Sequence, residues 1–218
     1  MGVNGMNKKV RILRIVLFGL GAAVIAGLAA RFWIASFEAG AVGGFDSGGE
    51  IAFSDDVQTN TSKVPDLSQI HFVDLEGNTV ALSDYRDRKN VILVFTRGYP
   101  GYLCPFCMTQ TSRLITNYDV FRRLEAEVLV VFPGSQQDAQ KLINQSKGKA
   151  HAEKVPFPIL LDTDFRVVDA FGIRGNLAKP ATYLFDKQGE LRFAYVGETA
   201  YDRPSIRALT TQLELIAR

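Results

Sequence analysis

The stretch VILVFTRGYPGYLCPFC, residues 91–107, decides the fold of this chain. Its first part, Val91 to Phe95, is apolar without alternation, as expected of a strand that is covered on both faces. The chain's only two cysteines, Cys104 and Cys107, follow at the head of a segment with helical periodicity. The sequence therefore predicts a buried strand that leads through a short loop into a helix, with a Cys-x-x-Cys pair at the helix start.

The spacing of the two cysteines predicts redox chemistry. Cys104 is expected at the helix N-terminus, where unpaired backbone N–H groups and the positive end of the helix dipole lower a thiol pKa. Cys107 follows one helical turn later, close enough to attack a mixed disulfide or a sulfenic acid on Cys104. Because Cys104 is nearer to the helix start and at the more exposed position, we predict that it is the nucleophile and that Cys107 is the resolving thiol.

Two other uses of the cysteine pair, a structural disulfide and a zinc site, are less well supported than redox chemistry. A structural disulfide would close so short a loop that it removes little chain entropy from the unfolded state. A zinc site would need further ligands, but the chain has no second cysteine pair, and His71 and His151 are single and far apart. We therefore expect neither a bound metal nor another cofactor.

A second apolar run predicts the sheet in which the first strand lies. Residues 128–132 read VLVVF, and the apolar residues between 114 and 124 fall on one helical face. A strand, a helix and a strand in this order form a βαβ unit with parallel strands and a right-handed crossover. Cys104 then lies near the carboxyl end of a parallel strand, where open α/β sheets build their sites.

The remaining elements complete an α/β domain of a mixed sheet flanked by helices. Two hairpins are predicted, Ile70–Val73 with Val80–Leu82 and Thr182–Phe185 with Leu191–Val196. Between the hairpins, beyond the βαβ unit, the sequence predicts a helix at 136–145, a polar loop at 147–154, a short strand at 159–161 and a helical turn at 167–171. After the second hairpin it predicts a final helix with apolar residues from 206 to 216.

The charges are unevenly distributed along the chain. Five of its 25 Lys and Arg residues precede Glu38, where no acidic residue occurs, so the rest of the chain has 20 basic and 23 acidic residues. This slightly acidic balance argues against a nucleic acid as partner.

The N-terminal segment predicts a single membrane anchor. The uncharged run from Ile15 to Ala30, extended to residue 37, is long enough to span a bilayer when Arg14 and Arg31 reach the interfaces. Basic residues precede the run, so residues 1–14 are expected in the cytoplasm and the redox domain outside it. A cleaved signal peptide is the alternative, with a small-x-small site at residues 27–29.

The anchor is followed by a segment typical of a tether. Residues 38–63 are rich in Gly, Ser, Asp, Thr and Asn and carry few apolar residues. We therefore expect a flexible tether at 38–63 and a globular redox domain at 64–218.

Four motifs in that domain resemble those of a known family. They are Val64-Pro65-Asp66-Leu67, the run at 91–97, the Cys104–Cys107 pair and Lys179-Pro180-Ala181-Thr182. Together they resemble the thioredoxin-fold redoxins, and within these the alkyl hydroperoxide reductase and thiol-specific antioxidant group, that is, peroxiredoxin-like proteins. The resemblance extends from residue 64 to the final helix. It implies a thioredoxin fold in which Pro180 is a cis proline facing the dithiol; an ordinary proline at a strand start is the alternative.

The chain departs from the motif Pro-x-x-x-Thr-x-x-Cys of typical peroxiredoxins. Pro100, Cys104 and Cys107 have this spacing, but cysteine replaces the threonine. Alignment of Cys104-Pro105 with the family's Cys-Pro instead leaves both the proline and the threonine positions unmatched. Arg97, just before the loop, is a candidate to stabilise a Cys104 thiolate or a peroxide oxygen, or else a surface arginine paired with an acid.

Three functions remain open from the sequence. The first is a thiol peroxidase that reduces a peroxide through a Cys104 sulfenic acid and a Cys104–Cys107 disulfide, which an external thiol then reduces. The second is a thiol-disulfide oxidoreductase that acts on extracytoplasmic protein disulfides. The third is a metal carrier without enzymatic activity, which the Cys-x-x-Cys spacing disfavours.

Overall fold

Apolar strand runs build one mixed sheet in residues 51–98 and 103–217, the parts of the chain that the computed structural model describes. The strands are β1 (His71–Asp74), β2 (Thr79–Ala81), β3 (Asn90–Phe95), β4 (Ala126–Phe132), β5 (Ile159–Leu161), β6 (Ala181–Phe185) and β7 (Leu191–Val196). The helices are α1 (Pro105–Thr116), α2 (Tyr118–Arg123), α3 (Gln136–Ala150), α4 (Arg166–Ala170) and α5 (Ile206–Ile216). Two short 3-10 helices span Leu67–Gln69 and Leu82–Tyr85.

The sheet confirms the predicted βαβ unit. Its strand order is β2-β1-β5-β4-β3-β6-β7. β3 pairs in parallel with β4 and antiparallel with β6, and β4 pairs in parallel with β5. Both predicted hairpins form, as β1–β2 and β6–β7. All residues of β3 and β4 are buried, which accounts for the lack of polar alternation in their sequences.

The two faces of the sheet are covered by different helices. Ile92 and Val94 of β3 belong to an apolar cluster with residues of α1, α3 and α5, and both cysteines lie in this cluster. Val91, Leu93 and Phe95 point to the other face and belong to a second cluster with residues of α4. The site therefore lies on the face that carries α1.

Two helix boundaries differ from the sequence prediction. The apolar face between residues 114 and 124 is divided between α1 and α2, because the Asn117 amide donates to the Arg113 carbonyl at 2.9 Å and ends α1 there. α3 continues to Ala150, into the segment predicted as a polar loop, and ends at His151 in a left-handed conformation. The lysines of its last turn interact favourably with the negative end of the helix dipole.

The tether predicted at 38–63 is wrong for its second half. Residues 51–60, which we name the strap, lie on the folded domain, and Ile51 and Val57 are buried. The strap ends beside β7, where the backbone N–H of Asn60 donates to the Ala194 carbonyl at 3.0 Å and its side chain bonds with both backbone groups of Val196 at 2.9 Å. Its polar residues therefore serve as hydrogen-bonding groups along a strand edge.

The predicted basic segment at 1–14, the anchor at 15–37 and the first half of the tether lie outside the described residues. Within the described ranges, each helix is too short or too polar to cross a membrane.

Candidate active site

The exit of β3 directs the chain toward the cysteines. After Phe95, the backbone N–H and the hydroxyl of Thr96 both donate to the Val131 carbonyl of β4, at 3.0 and 3.1 Å. Gly98 then turns with φ of +85°, and a Cβ there would lie 2.5 Å from the Pro133 carbonyl oxygen. Only glycine fits this turn, which fixes the path of the chain out of the sheet.

The dithiol lies in the first turn of α1. Cys104 is the N-cap residue in extended conformation, Pro105 is the first helical residue, and Cys107 is the third. The Cys104 carbonyl accepts the backbone N–H of Met108 at 3.1 Å. Both cysteines are buried, with 6% of Cys104 and 3% of Cys107 exposed, and the two thiols are within hydrogen-bonding reach of each other.

A buried arginine contacts Cys107. Arg203, which lies just before α5, is only 1% exposed, and its Nη2 donates to Cys107 Sγ at 3.2 Å. Its Nη1 donates to Gln110 Oε1 on α1, and its Nε donates to the Ala200 carbonyl at 2.8 Å. A buried guanidinium needs a negative partner or several acceptors, and the sulfur of Cys107 is the group here that can become an anion.

The surroundings shift the pKa values of the two thiols in opposite directions. The pKa of Cys107 is lowered to about 5, first by the hydrogen bond from Cys104 and then by the charge of Arg203, while burial opposes the shift. The backbone N–H of Arg97 adds a further donor at 3.5 Å from Cys107 Sγ. The pKa of Cys104 is raised above its ordinary value, first because its thiol donates to Cys107 and then because of burial. The contact with Arg203 therefore favours loss of the proton from Cys107 over loss from Cys104.

This distribution of charge differs from the one expected from the sequence. Cys104 was predicted to be the ionised thiol because of its place at the helix start, and it is the slightly more exposed of the two. Cys107, however, accepts the hydrogen bond from Cys104 and contacts the guanidinium of Arg203, and these two interactions favour its ionisation although Cys104 lies nearer to the helix end.

The other predicted site residues lie in different places. Arg97 reaches Cys107 through its backbone N–H. The sequence-based expectation was a guanidinium that stabilises Cys104 or a peroxide oxygen, or else a surface arginine paired with an acid. Arg174, in the turn after α4, pairs with Asp169 at 2.6 Å and lies over the Phe165 ring at 4.5 Å. The loop residues 99–102 lie outside the described residues.

The cis peptide bond predicted before Pro180 is absent. All peptide bonds between described residues are trans. Ala181 faces Phe95 in the β3–β6 register, so Pro180 lies at the end of β6 that adjoins the exit of β3. Its carbonyl accepts the Gly197 N–H at 2.8 Å, a bond that needs no N–H from the proline itself and is compatible with the favoured trans form.

No metal site is apparent in the part of the chain that the structure describes, since no three His, Cys, Asp or Glu side chains there could hold an ion together. The residues that sequence reasoning missed are Arg203 and Gln110. Arg203 lies 96 positions from Cys107. No motif connects the two, and only the tertiary fold brings the loop before α5 to α1.

Comparison with known proteins shows which proteins this chain is similar to. Residues 61–194 match the model of the AhpC/TSA family. Peroxiredoxin Bcp of Bacillus subtilis is 30% identical over 124 residues, which make up 53% of this chain and 72% of Bcp. The thiol-disulfide oxidoreductase ResA of Geobacillus thermodenitrificans is 32% identical over 126 residues, 57% of this chain and 63% of ResA.

Two solved structures share the fold. Peroxidoxin BcpB from Mycobacterium tuberculosis superposes with a TM-score of 0.57 at 19% identity and covers 73% of this chain and 99% of its own. The mitochondrial 2-Cys peroxiredoxin from Plasmodium falciparum gives a TM-score of 0.55 at 17% identity, with 67% of this chain and 88% of its own covered. At these identities the likeness concerns the arrangement of sheet and helices.

Proposed function

This chain belongs to the AhpC/TSA family, and from that premise we propose that it is a membrane-anchored, peroxiredoxin-like peroxidase whose redox centre is the Cys104–Cys107 dithiol. It has a thioredoxin-like α/β fold, and its relatives are peroxiredoxins and thiol-disulfide oxidoreductases, so it is a thiol oxidoreductase. The substrate, the order of the two thiols and the anchor are the parts that we propose.

The contact between Arg203 and Cys107 carries the proposal. It places a fixed positive charge 3.2 Å from the sulfur of Cys107 and none of comparable strength on Cys104. We therefore assign Cys107 as the nucleophile and Cys104 as the resolving thiol, the reverse of the order predicted from sequence. Both sulfurs are buried, which favours a small peroxide over a protein disulfide as the first reactant.

The proposed reaction balances with one peroxide and one dithiol. The Cys107 thiolate attacks one oxygen of the peroxide bond, which breaks to leave a sulfenic acid on Cys107 and an alcohol or water after protonation. The Cys104 thiol then attacks the sulfur of the sulfenic acid, and water leaves as the disulfide forms. An external thiol reductant returns the disulfide to the dithiol by exchange. The guanidinium of Arg203 stabilises the anionic charge before the first step.

Stopped-flow oxidation by hydrogen peroxide tests this assignment in the full chain. We expect the Cys104→Ser variant to form a sulfenic acid that a dimedone-type reagent traps, and the Cys107→Ser variant to react at least tenfold more slowly. A trapped sulfenic acid on Cys104 in the Cys107→Ser variant, formed at the wild-type rate, would restore the sequence-based order. Slow oxidation of the wild type by peroxide would exclude the peroxidase.

A second function has support of its own. The similarity to ResA and the Cys-x-x-Cys pair at a helix start favour exchange with extracytoplasmic protein disulfides. In that case the reduced chain would exchange rapidly with a model protein disulfide while peroxide oxidised it slowly, so the same stopped-flow experiment with a disulfide substrate separates the two functions.

The proposed location rests on the sequence of the N-terminal segment. The basic residues before the apolar run at 15–37 favour a single-pass anchor with the redox domain outside the cytoplasm. The test uses cells whose outer envelope layers have been made permeable while the plasma membrane is intact. A protease that cannot cross this membrane should then digest the redox domain. Full protection of the domain, with a cytoplasmic control protein also protected, would contradict this orientation.

A further inference from the structure

We infer that the strap, residues 51–60, is a positioning element for the catalytic residue Arg203, and that the reactivity of the dithiol depends on it. This inference deepens the proposed function, because it concerns the control of the same site. Both the strap and Arg203 lie outside residues 61–194, the part of the chain that matches the family. The contacts of the strap account for how a guanidinium on a loop is held against one sulfur.

The strap pairs with the backbone of the Arg203 loop. The Ser54 N–H donates to the Arg203 carbonyl at 3.0 Å, and the Ser54 carbonyl accepts the Ser205 N–H at 2.8 Å. These two bonds lie on either side of Pro204 and form a short parallel bridge. They fix the backbone from which the Arg203 side chain extends. Asp55 adds a side-chain bond, since its carboxylate accepts the hydroxyl of Ser205.

The strap is also attached to α1, the helix that carries both cysteines. The Ile51 carbonyl accepts a bond from Arg113 of α1, and the Arg113 guanidinium lies over the Phe53 ring at 5.1 Å. Ile51 is buried. The strap therefore joins the two parts of the molecule that meet at Cys107: the helix with the sulfur and the loop with the cation.

The loop has a second set of contacts that does not involve the strap. The Tyr195 hydroxyl donates to Asp202 at 2.6 Å, and the Glu198 N–H donates to the same carboxylate at 2.9 Å. A Cβ at Gly197 would lie 2.0 Å from the Asp202 carbonyl oxygen, so the loop and β7 are in close contact. Because these contacts do not involve the strap, we expect a variant that loosens the strap to displace Arg203 from Cys107 without unfolding the loop.

The test measures the Cys107 thiolate directly and requires no turnover. In the full chain with Cys104→Ser, the ultraviolet absorbance of the thiolate is titrated against pH, with and without Ser54→Pro, which removes the N–H that bonds to Arg203. We expect the midpoint to rise by about one pH unit, a tenfold loss of thiolate at a fixed pH below the midpoint. Asn60→Ala is the matched control, since it loosens the strap at β7 and leaves the Arg203 loop untouched; its midpoint should not change.

A double-mutant cycle separates positioning from a general loss of stability. If the strap acts through Arg203, Ser54→Pro should have no further effect on the midpoint in the Arg203→Gln protein. Equal shifts in both backgrounds, or no shift in the first, would overturn the inference. Should Ser54→Pro fail to fold, Asp55→Ala enters the same cycle. If Ser54→Pro shifts the midpoint but the chain does not reduce peroxide, the peroxidase function is wrong and the role of the strap still holds.

Discussion

At the scale of single residues, the chemistry of the site depends on which sulfur carries the charge. Two thiols this close cannot both ionise readily, so the first proton lost determines the nucleophile. Cys107 receives bonds from Arg203, from the Arg97 N–H and from the Cys104 thiol, and its pKa falls to about 5. Cys104 is left as the donor and keeps its proton until it attacks the sulfenic acid, when that proton leaves with the hydroxyl as water.

The first prediction concerns the charge of Arg203. Replacing it by Gln should raise the pKa of Cys107 from about 5 toward 9, so that alkylation at neutral pH slows by at least tenfold. Arg203→Lys should restore part of the rate, since a lysine keeps the charge but cannot contact Cys107, Gln110 and the Ala200 carbonyl together.

The measurement is the pH profile of iodoacetamide alkylation, with the modified cysteine identified by mass spectrometry. Arg122→Gln, a change at an exposed arginine on α2, serves as the matched control and should leave the profile unchanged. An unaltered profile in Arg203→Gln would mean that the guanidinium does not control the thiol.

At the residue scale, the sequence predicts the two reacting cysteines but not Arg203, the cation beside them. Cys104 and Cys107 are visible because two thiols at one-turn spacing have few other uses. Arg203 is one of 25 basic residues and stands before a final helix, in a place where an arginine is usually solvated. Its burial follows from the tertiary packing of α5, which no local pattern encodes.

At the scale of elements, the turn after β3 holds the backbone donor of the site in place. Gly98 adopts φ of +85° against the Pro133 carbonyl, and Arg97, the residue before it, presents its N–H to Cys107. The second glycine of interest, Gly148, is exposed within α3 and has no atom within 4 Å of an added Cβ. The two positions therefore respond to the same substitution in opposite ways.

The second prediction compares these glycines. Gly98→Ala should lower the free energy of unfolding by about 1 to 3 kcal/mol, because the left-handed backbone and the close carbonyl both oppose a side chain. Gly148→Ala should raise it by about 0.5 to 1 kcal/mol, because alanine restricts the unfolded chain and favours the helix. Urea unfolding of the two variants checks both signs. A stabilised Gly98→Ala would mean that the turn is not constrained as described.

The elements themselves are largely predictable, and their ends are not. Strands β3 and β4 follow from uninterrupted apolar runs that only a doubly covered strand accommodates. The strap escapes prediction because its Ser, Asp, Thr and Asn residues are typical of linkers, and its hydrogen bonds to β7 and to residues 203–205 depend on a surface formed by distant parts of the chain.

At the scale of the whole molecule, the strap joins the proposed tether to the active site. It runs from α1, past the Arg203 loop, to the outer edge of β7, and it covers an edge strand that would otherwise offer free backbone groups. A domain that began at residue 64, the boundary predicted from sequence, would lack all of these contacts. The stability of the domain and the state of its thiols are therefore connected.

The last prediction is that the reduced chain is more stable than the oxidised chain at neutral pH. The folded pKa of Cys107, about 5, lies below the ordinary value of 9, so its thiolate stabilises the reduced fold increasingly as pH rises from 5 to 9, and this contribution is lost as pH falls through 5. Cys104, whose folded pKa is raised, is protonated in both the folded and the unfolded chain at neutral pH and adds nothing there. A Cys104–Cys107 disulfide removes the anion and leaves the guanidinium of Arg203 buried without it, while so short a loop gives little entropic compensation.

Urea unfolding of the reduced and the oxidised chain tests this prediction. At neutral pH we expect the free energy of unfolding of the reduced form to be larger by about 1 to 3 kcal/mol, the contribution of a hydrogen bond to a charged group. The advantage should vanish below pH 5 and shrink in Arg203→Gln, where the hydrogen bond from Cys104 remains. An oxidised form that is equally stable at neutral pH would contradict a thiolate held by Arg203, and with it the physical basis for a disulfide that an external thiol reduces readily.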